Sequence, residues 1–120
     1  MHDIRCEPRL NRIYIRLEGF FTPEEMRKCV DETIAAARRL RPGYEVITDI
    51  SQMKPGNDAV AKEIERAQAH FVASGAKRGV RVVGPSVVSG MQFKRTGSQV
   101  GYHSVNVGSQ AEAETYLKTP

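Results

Sequence analysis

Tyr44-Glu45-Val46-Ile47-Thr48-Asp49-Ile50-Ser51 is an apolar run rich in β-branched residues. It closes on Asp-Ile-Ser and breaks into Gln52-Met53-Lys54-Pro55-Gly56-Asn57-Asp58. Val, Ile and Thr suit a pleated, buried surface, whereas Pro-Gly-Asn interrupts one. The reading is a buried strand that empties into a loop and then a helix. In an open α/β sheet, ligands and partners gather at the carboxyl ends of such strands, because several βα loops converge there on a rigid base. The same stretch therefore sets the architecture and the place to look for function.

Working outward, Ile4 and Cys6 suggest a short first strand, turned by Pro8 and Asn11 into a second, Arg12 to Glu18. There Ile13, Ile15 and Leu17 alternate with Tyr14, Arg16 and Glu18, as in a hairpin. Thr22-Pro23-Glu24-Glu25 is a capping box with proline in the first helical position, so a helix begins at Pro23. Its stripe is Met26, Val30, Ile34, Ala37 and Leu40, and Pro42-Gly43 is the expected stop. Beyond the Asp49 strand, Asn57 or Asp58 can cap a helix that turns Val60, Ile64, Ala67 and Phe71 inward and ends at Gly75.

Gly79 to Val83 reads as a strand. Gly84-Pro85-Ser86 then turns towards a helix from Val87 to about Arg95, burdened by Gly90 and halted near Gly97. His103 to Val107 alternates like a half-exposed edge strand, and Ser109-Gln110-Ala111-Glu112 forms a second capping box before Ala113, Tyr116 and Leu117. No repeat, low-complexity tract or linker interrupts the chain. The expected order is β-β-α-β-α-β-α-β-α: an α/β protein with a mixed sheet packed by roughly four helices, in a single domain over residues 1–120.

With 40% hydrophobic and 27% charged residues, the 120-residue chain is too apolar for disorder and long enough to bury a core without staples. No apolar run approaches the roughly 20 residues of a membrane span. Met1-His2-Asp3-Ile4-Arg5 lacks the apolar core of a signal peptide, so the expected location is the cytoplasm. Cys6 and Cys29 have neither CxxC spacing nor a neighbouring histidine, and read as reduced packing residues rather than metal ligands. No cofactor is implied.

The order of elements from about Ile13 to Leu117, with Asp49-Ile50-Ser51 closing the central strand before a loop and helix, resembles the STAS domain. That fold is shared by sulphate-transporter cytoplasmic domains and bacterial anti-sigma-factor antagonists, and the chain resembles especially the small free-standing antagonist-like proteins. In antagonists the strand reads Asp-Leu-Ser and leads to an Asp-Ser-Ser-Gly or Asp-Ser-Thr-Gly turn whose hydroxyl a partner kinase phosphorylates. Laid on this chain without gaps, that turn falls on Asn57-Asp58-Ala59-Val60 and the acceptor on Ala59, which has no hydroxyl. The resemblance thus implies a regulatory, non-enzymatic protein without the phosphorylation switch. Its partner surface would include Asp49, Ser51, Asn57, Asp58 and the exposed face of the second helix.

Charge carries a second signal. The formal net charge is +4, and no acidic residue lies between Glu65 and Glu112, an interval that holds Arg66, Lys77, Arg78, Arg81, Lys94 and Arg95. If Gly84 to Gly90 is a βα loop, its amides, Ser86 and Ser89 could meet an anion, with Lys94 and Arg95 a turn or two away. An anionic small molecule, nucleotide or lipid, is therefore the alternative ligand. Nucleic acid is disfavoured because the basic residues lack the interleaved aromatics of single-strand platforms. Asp49, Ser51, His70 and His103 include the residue types of a hydrolase triad, but there is no GxSxG elbow, so an unrecognised hydrolase is the weaker alternative. A protein partner is the leading expectation, and a homo-oligomer is left open.

Overall fold

The computed structural model describes residues 1–120. The chain runs β1 (His2–Glu7), β2 (Arg12–Gly19), α1 (Pro23–Ala37), β3 (Glu45–Met53), α2 (Asp58–Ala73), β4 (Arg78–Val82), α3 (Val87–Val100), β5 (Val105–Val107) and α4 (Gln110–Lys118). This is the order read from the sequence. The five strands lie in the order β1-β2-β3-β4-β5, with β1 and β2 antiparallel and every other pair parallel. Asn11 makes the hairpin turn possible by taking a left-handed φ of 53°, a conformation that asparagine tolerates better than most residues.

Register sorts the side chains by face. Ile13 lies beside Val46, and Ile15 beside Thr48, which in turn pairs with Arg81. This face buries Ile13, Ile15, Leu17, Val46 and Ile50 against Met26 and Val30 of α1, Ile64 and Phe71 of α2, and Phe93 of α3. The opposite face buries Ile47, Val80 and Val82 against Ala113 and Leu117 of α4. Because α4 packs on β4 and β5, the β1–β2 half of its face stays open, a polar cleft lined by Asp3, Arg5, Tyr14, Arg16, Asp49 and Gln110.

Local signals explain most boundaries. The Thr22 hydroxyl accepts from the Glu25 amide at 3.2 Å and the Glu25 carboxylate accepts from the Thr22 amide at 3.0 Å, so the predicted capping box forms in full. At α4 it forms by half: Ser109 Oγ accepts from the Glu112 amide, but the Glu112 carboxylate reaches past Ser109 to the Gly108 amide at 2.9 Å. Helix α1 ends at Ala37, short of the expected Pro42 stop. Its last carbonyls are taken by tighter bonds from Arg39 to Ala36 and from Leu40 to Ala37, so Leu40 reaches the core from a turn. Strand β3 continues two residues past Ser51, to Met53, and β5 keeps only Val105–Val107 of the expected His103–Val107.

Helix α3 differs most from expectation, running through Gly97 to end at Gly101, whose φ is 77°. Its glycines are close-approach positions. A Cβ at Gly97 would strike the Tyr102 carbonyl, and one at Gly90 would sit 3.0 Å from Val83 Cγ1. Packing outweighs the roughly 1 kcal/mol that glycine costs an exposed helix. Cys29 is buried in α1, and burial pushes its thiol up to about 12, which leaves it protonated and unreactive near neutral pH.

Glu45 opens β3 directly between Arg12 of β2 and Arg78 of β4. Its Oε1 accepts from Arg12 Nη2 at 3.0 Å and its Oε2 from Arg78 Nε at 2.9 Å. Burial alone would raise its pKa, but the bonds and charges of the two guanidinium groups outweigh burial and hold it below the usual carboxylate value. A folded pKa below the unfolded one contributes stability that is complete above the unfolded value, about 4.3, and is lost as pH falls through the folded value. Glu45→Gln is expected to cost about 1–3 kcal/mol at neutral pH. It should also flatten the acid limb, so that urea denaturation midpoints of wild type and variant converge as the pH drops below the carboxylate range. A constant gap across that range would show that Glu45 is not ionised through these pairs.

Candidate interaction site at the carboxyl ends of the strands

Beyond Met53 the chain crosses Lys54-Pro55-Gly56 to Asn57, whose Oδ1 accepts from the Val60 amide at 2.9 Å and so caps α2. Proline and glycine keep this crossing from joining either element. Gly56 is also pressed against Val60, where a Cβ would collide with the valine side chain.

One face of α3 stitches the crossing down. Ser86 Oγ donates to the Ser51 carbonyl at 2.8 Å and Ser89 Oγ to the Met53 carbonyl at 2.9 Å. Gln92 then clamps Gly56 from both sides, its Nε2 donating to the Gly56 carbonyl at 2.8 Å and its Oε1 accepting from the Gly56 amide at 3.1 Å. Residues three apart on a helix share a face, so Ser86, Ser89 and Gln92 meet successive parts of the β3 exit in turn. Sequence reasoning passed over Gln92, although its spacing from the two serines was a visible signal.

The outward side of the same helix is apolar and bare. Val87, Val88 and Met91 are 60%, 63% and 65% exposed, and Phe20, above the end of β2, is 71% exposed. Lys54 Nζ sits 5.6 Å from the Phe20 ring centroid, which links Phe20 to the loop. A shallow cleft of about 270 Å³ separates Met53–Pro55 from Pro85–Ser89. Lys94 and Arg95 line an adjoining open cleft with Met91, Ser98 and Gln99. The surface is thus an apolar centre with cations at its edge.

The residues singled out from the sequence are distributed as follows. Asp49 and Ser51 share the α4 face of β3, where Asp49 Oδ1 accepts from the Ser51 amide at 3.0 Å and from Ser51 Oγ at 2.7 Å. Asp49 therefore borders the open polar cleft with Arg16 and Gln110. Asn57, Asp58 and Ala59 lie past the strand end, Asn57 as the α2 cap and the other two exposed in its first turn. Ser86 and Ser89 direct their hydroxyls at β3 carbonyls, apart from the cleft that holds Lys94 and Arg95.

The hydrolase residue types are not assembled. His70 is near the carboxyl end of α2, where Ser74 reaches Tyr44 at the start of β3, and His103 precedes β5, whereas Asp49 and Ser51 lie towards the far end of β3. His70 has a buried Nε2 without a hydrogen-bond partner, and burial together with the charge of Arg38 lowers its pKa. Burial beside a cation thus favours neutral imidazole there, against the pull of the helix carboxyl end towards the charged form.

No family model matches the sequence, and no curated protein matches it. Among solved structures, the fold is similar to that of the anti-sigma factor antagonist SpoIIAA in its unphosphorylated form. The TM-score is 0.62 over 100% of both chains, at 13% sequence identity. The fold is STAS-like, as the order of elements implied. No helix is long and apolar enough to cross a membrane.

The stitches make a local test. Gln92→Ala removes both bonds to Gly56, and the Gly56 amide is expected to exchange with deuterium at least about tenfold faster, while core amides of β3 keep their protection. Unchanged exchange at Gly56 would mean that the loop holds itself.

Proposed function

We propose that this chain is a regulatory, non-enzymatic STAS-like domain that binds a protein partner through the outer side of α3 and the Lys54–Asp58 crossing. The observation that carries this reading is the exposed apolar run Val87, Val88 and Met91, set on a helix whose other side is bonded to the β3 exit. Clustered exposed apolar side chains rimmed by polar ones mark interaction surfaces more often than they mark idle surface. With Lys54, Lys94 and Arg95 at the edge, the fitting partner presents an apolar groove with acidic residues around it. Asn57 and Asp58 would sit at one margin, whereas the side chains of Asp49 and Ser51 bond each other on the α4 face of β3. The cytoplasm, where such a partner would be met, belongs to the same reading.

An anionic small molecule at the Gly84–Gly90 loop is the second reading. One observation favours it: because Ser86 bonds the Ser51 carbonyl, α3 begins without a side-chain cap and leaves first-turn amides unclaimed by its own cap residue.

Affinity purification from the native host separates the two. The wild type is expected to retain a protein that Val88→Asp and Met91→Asp lose by tenfold or more, and that Arg16→Ala, on the opposite face, keeps. Equal retention by all variants would place the partner surface elsewhere, and self-association would appear as a concentration-dependent mass in the same preparation.

Regulation follows from Ala59. The matched acceptor position in the first turn of α2 has no hydroxyl, so binding is constitutive or controlled at another place. A kinase that modifies antagonists of this fold is expected to leave residues 57–60 of the wild type unmodified and to add phosphate to an Ala59→Ser variant. Stoichiometric phosphate on wild-type Ser51, whose hydroxyl now donates to Asp49, would overturn the lost switch by showing that the acceptor had moved.

A further inference from the structure

Arg81 is a cation without an anion. It stands on β4 in register with Thr48 and Asn106, on the face covered by α1, α2 and α3, and only 3% of it is exposed. Its side chain makes one hydrogen bond, to the neutral Asn106 Oδ1 at 3.2 Å, and lies 5.4 Å from the Phe93 ring centroid. None of the ion pairs in the structure includes it. A guanidinium has donors to spare and strongly resists losing its proton, so an isolated buried one is costly. Burial accordingly pulls its pKa down.

Beside it lies a cavity of about 40 Å³ between the sheet and the helices, walled mainly by apolar side chains. Its polar lining includes Arg81, Thr48, Gln68 and Tyr102, and no acidic residue. Gln68 is 2% exposed, and its Nε2 donates to the Phe93 carbonyl at 3.0 Å, which fixes the amide and leaves Oε1 buried with no donor. Turning the amide over would set oxygen against oxygen. One small space thus holds an unpaired cation and an unpaired acceptor, both embedded among apolar residues.

We propose that this cavity is a binding site for a small hydroxycarboxylate of the size of glycolate or lactate, its carboxylate on Arg81 and its hydroxyl donating to Gln68 Oε1. Water can serve Gln68 but cannot neutralise the guanidinium. Chloride neutralises the charge but cannot donate, and acetate shares that defect. The space holds about three waters, so a nucleotide or a lipid is too large for it. The site is separate from the α3 surface and does not depend on the partner-binding reading.

The test is thermal unfolding with added glycolate, acetate or chloride at matched ionic strength, because a ligand that binds only the native state raises the midpoint with concentration. Glycolate is expected to stabilise the wild type in a saturable way, with acetate about tenfold weaker or more because it leaves the buried acceptor unmet. Arg81→Met should abolish the response. Should that variant fail to fold, Gln68→Met decides the matter: it keeps Arg81 and should bind glycolate and acetate alike. Equal stabilisation of the wild type by all three anions, no stabilisation by any, or a glycolate preference that survives Gln68→Met would each overturn the proposal.

Discussion

A single carboxylate sets the frame on which everything else is placed. Glu45 bonds Arg12 on one neighbouring strand and Arg78 on the other, and both guanidinium groups continue onto α4. Arg12 reaches Glu114, and Arg78 donates to the Leu117 and Thr119 carbonyls. Side chains alternate along a strand, so a slip of one residue would carry Val46 and Ile50 out of the core. The carboxylate opposes that slip by having a partner on each side at one register only. Because it lies at the amino end of β3, it also fixes where the carboxyl end delivers Ser51 and Met53. Surface ion pairs contribute little to stability. This one is mostly enclosed, with Arg12 and Glu45 side chains 13% and 12% exposed, so its members are strongly bound to their geometry.

The elements that were legible in the sequence are those governed by local rules. Thr22 and Glu25 announce α1, Asn57 announces α2, and the alternation of Ile13, Ile15 and Leu17 announces β2, because capping and pleating act over a few residues. Helix α3 was read too short for an equally physical reason. Gly90 and Gly97 lower helix propensity wherever they are exposed. Their value here lies in letting Val83 and the Tyr102 carbonyl come close, and those neighbours are known only once the chain has folded. The end of α1 shows the reverse, since the helix stops at Ala37 with no breaker in place and the chain turns back towards the sheet before Pro42.

The site was legible as a place but not as a set of contacts. The Asp-Ile-Ser strand end points to the carboxyl edge of the sheet, where α3 bonds the β3 exit. Alternation then separates Asp49 and Ser51 onto the α4 face, while Asp58 lies beyond the strand. Ser86 and Ser89 looked like anion ligands because serines follow a Gly-Pro turn at a helix start. A hydroxyl beside a strand that outruns its neighbour on one side, as β3 outruns β4 beyond Asp49, also has bare carbonyls to satisfy, and that competing use prevails. Gln68 gave no linear signal, and Arg81 only that of one cation among several in the acid-free interval. Both are polar residues within otherwise ordinary elements, and only the register with Thr48 and the packing of α2 beneath α3 bring them to one cavity.

On the proposed reading, the two sides of α3 would divide the labour of recognition. Its inner side spends Ser86, Ser89 and Gln92 on the backbone of the β3 exit, so the crossing from Met53 to Asn57 is already ordered before any partner arrives. Association ordinarily loses part of its interaction energy to the ordering of loops and side chains, about 0.5–1.5 kcal/mol for each flexible side chain immobilised. A crossing held by the protein itself avoids much of that cost, and short β-branched side chains such as Val87 and Val88 have little rotamer freedom left to lose. The outer side can therefore remain apolar and small without being weak. The proposed surface, organised in this way, would discriminate by shape and by the charge at its edge, where Lys54, Lys94 and Arg95 would favour an acidic rim and disfavour a basic one.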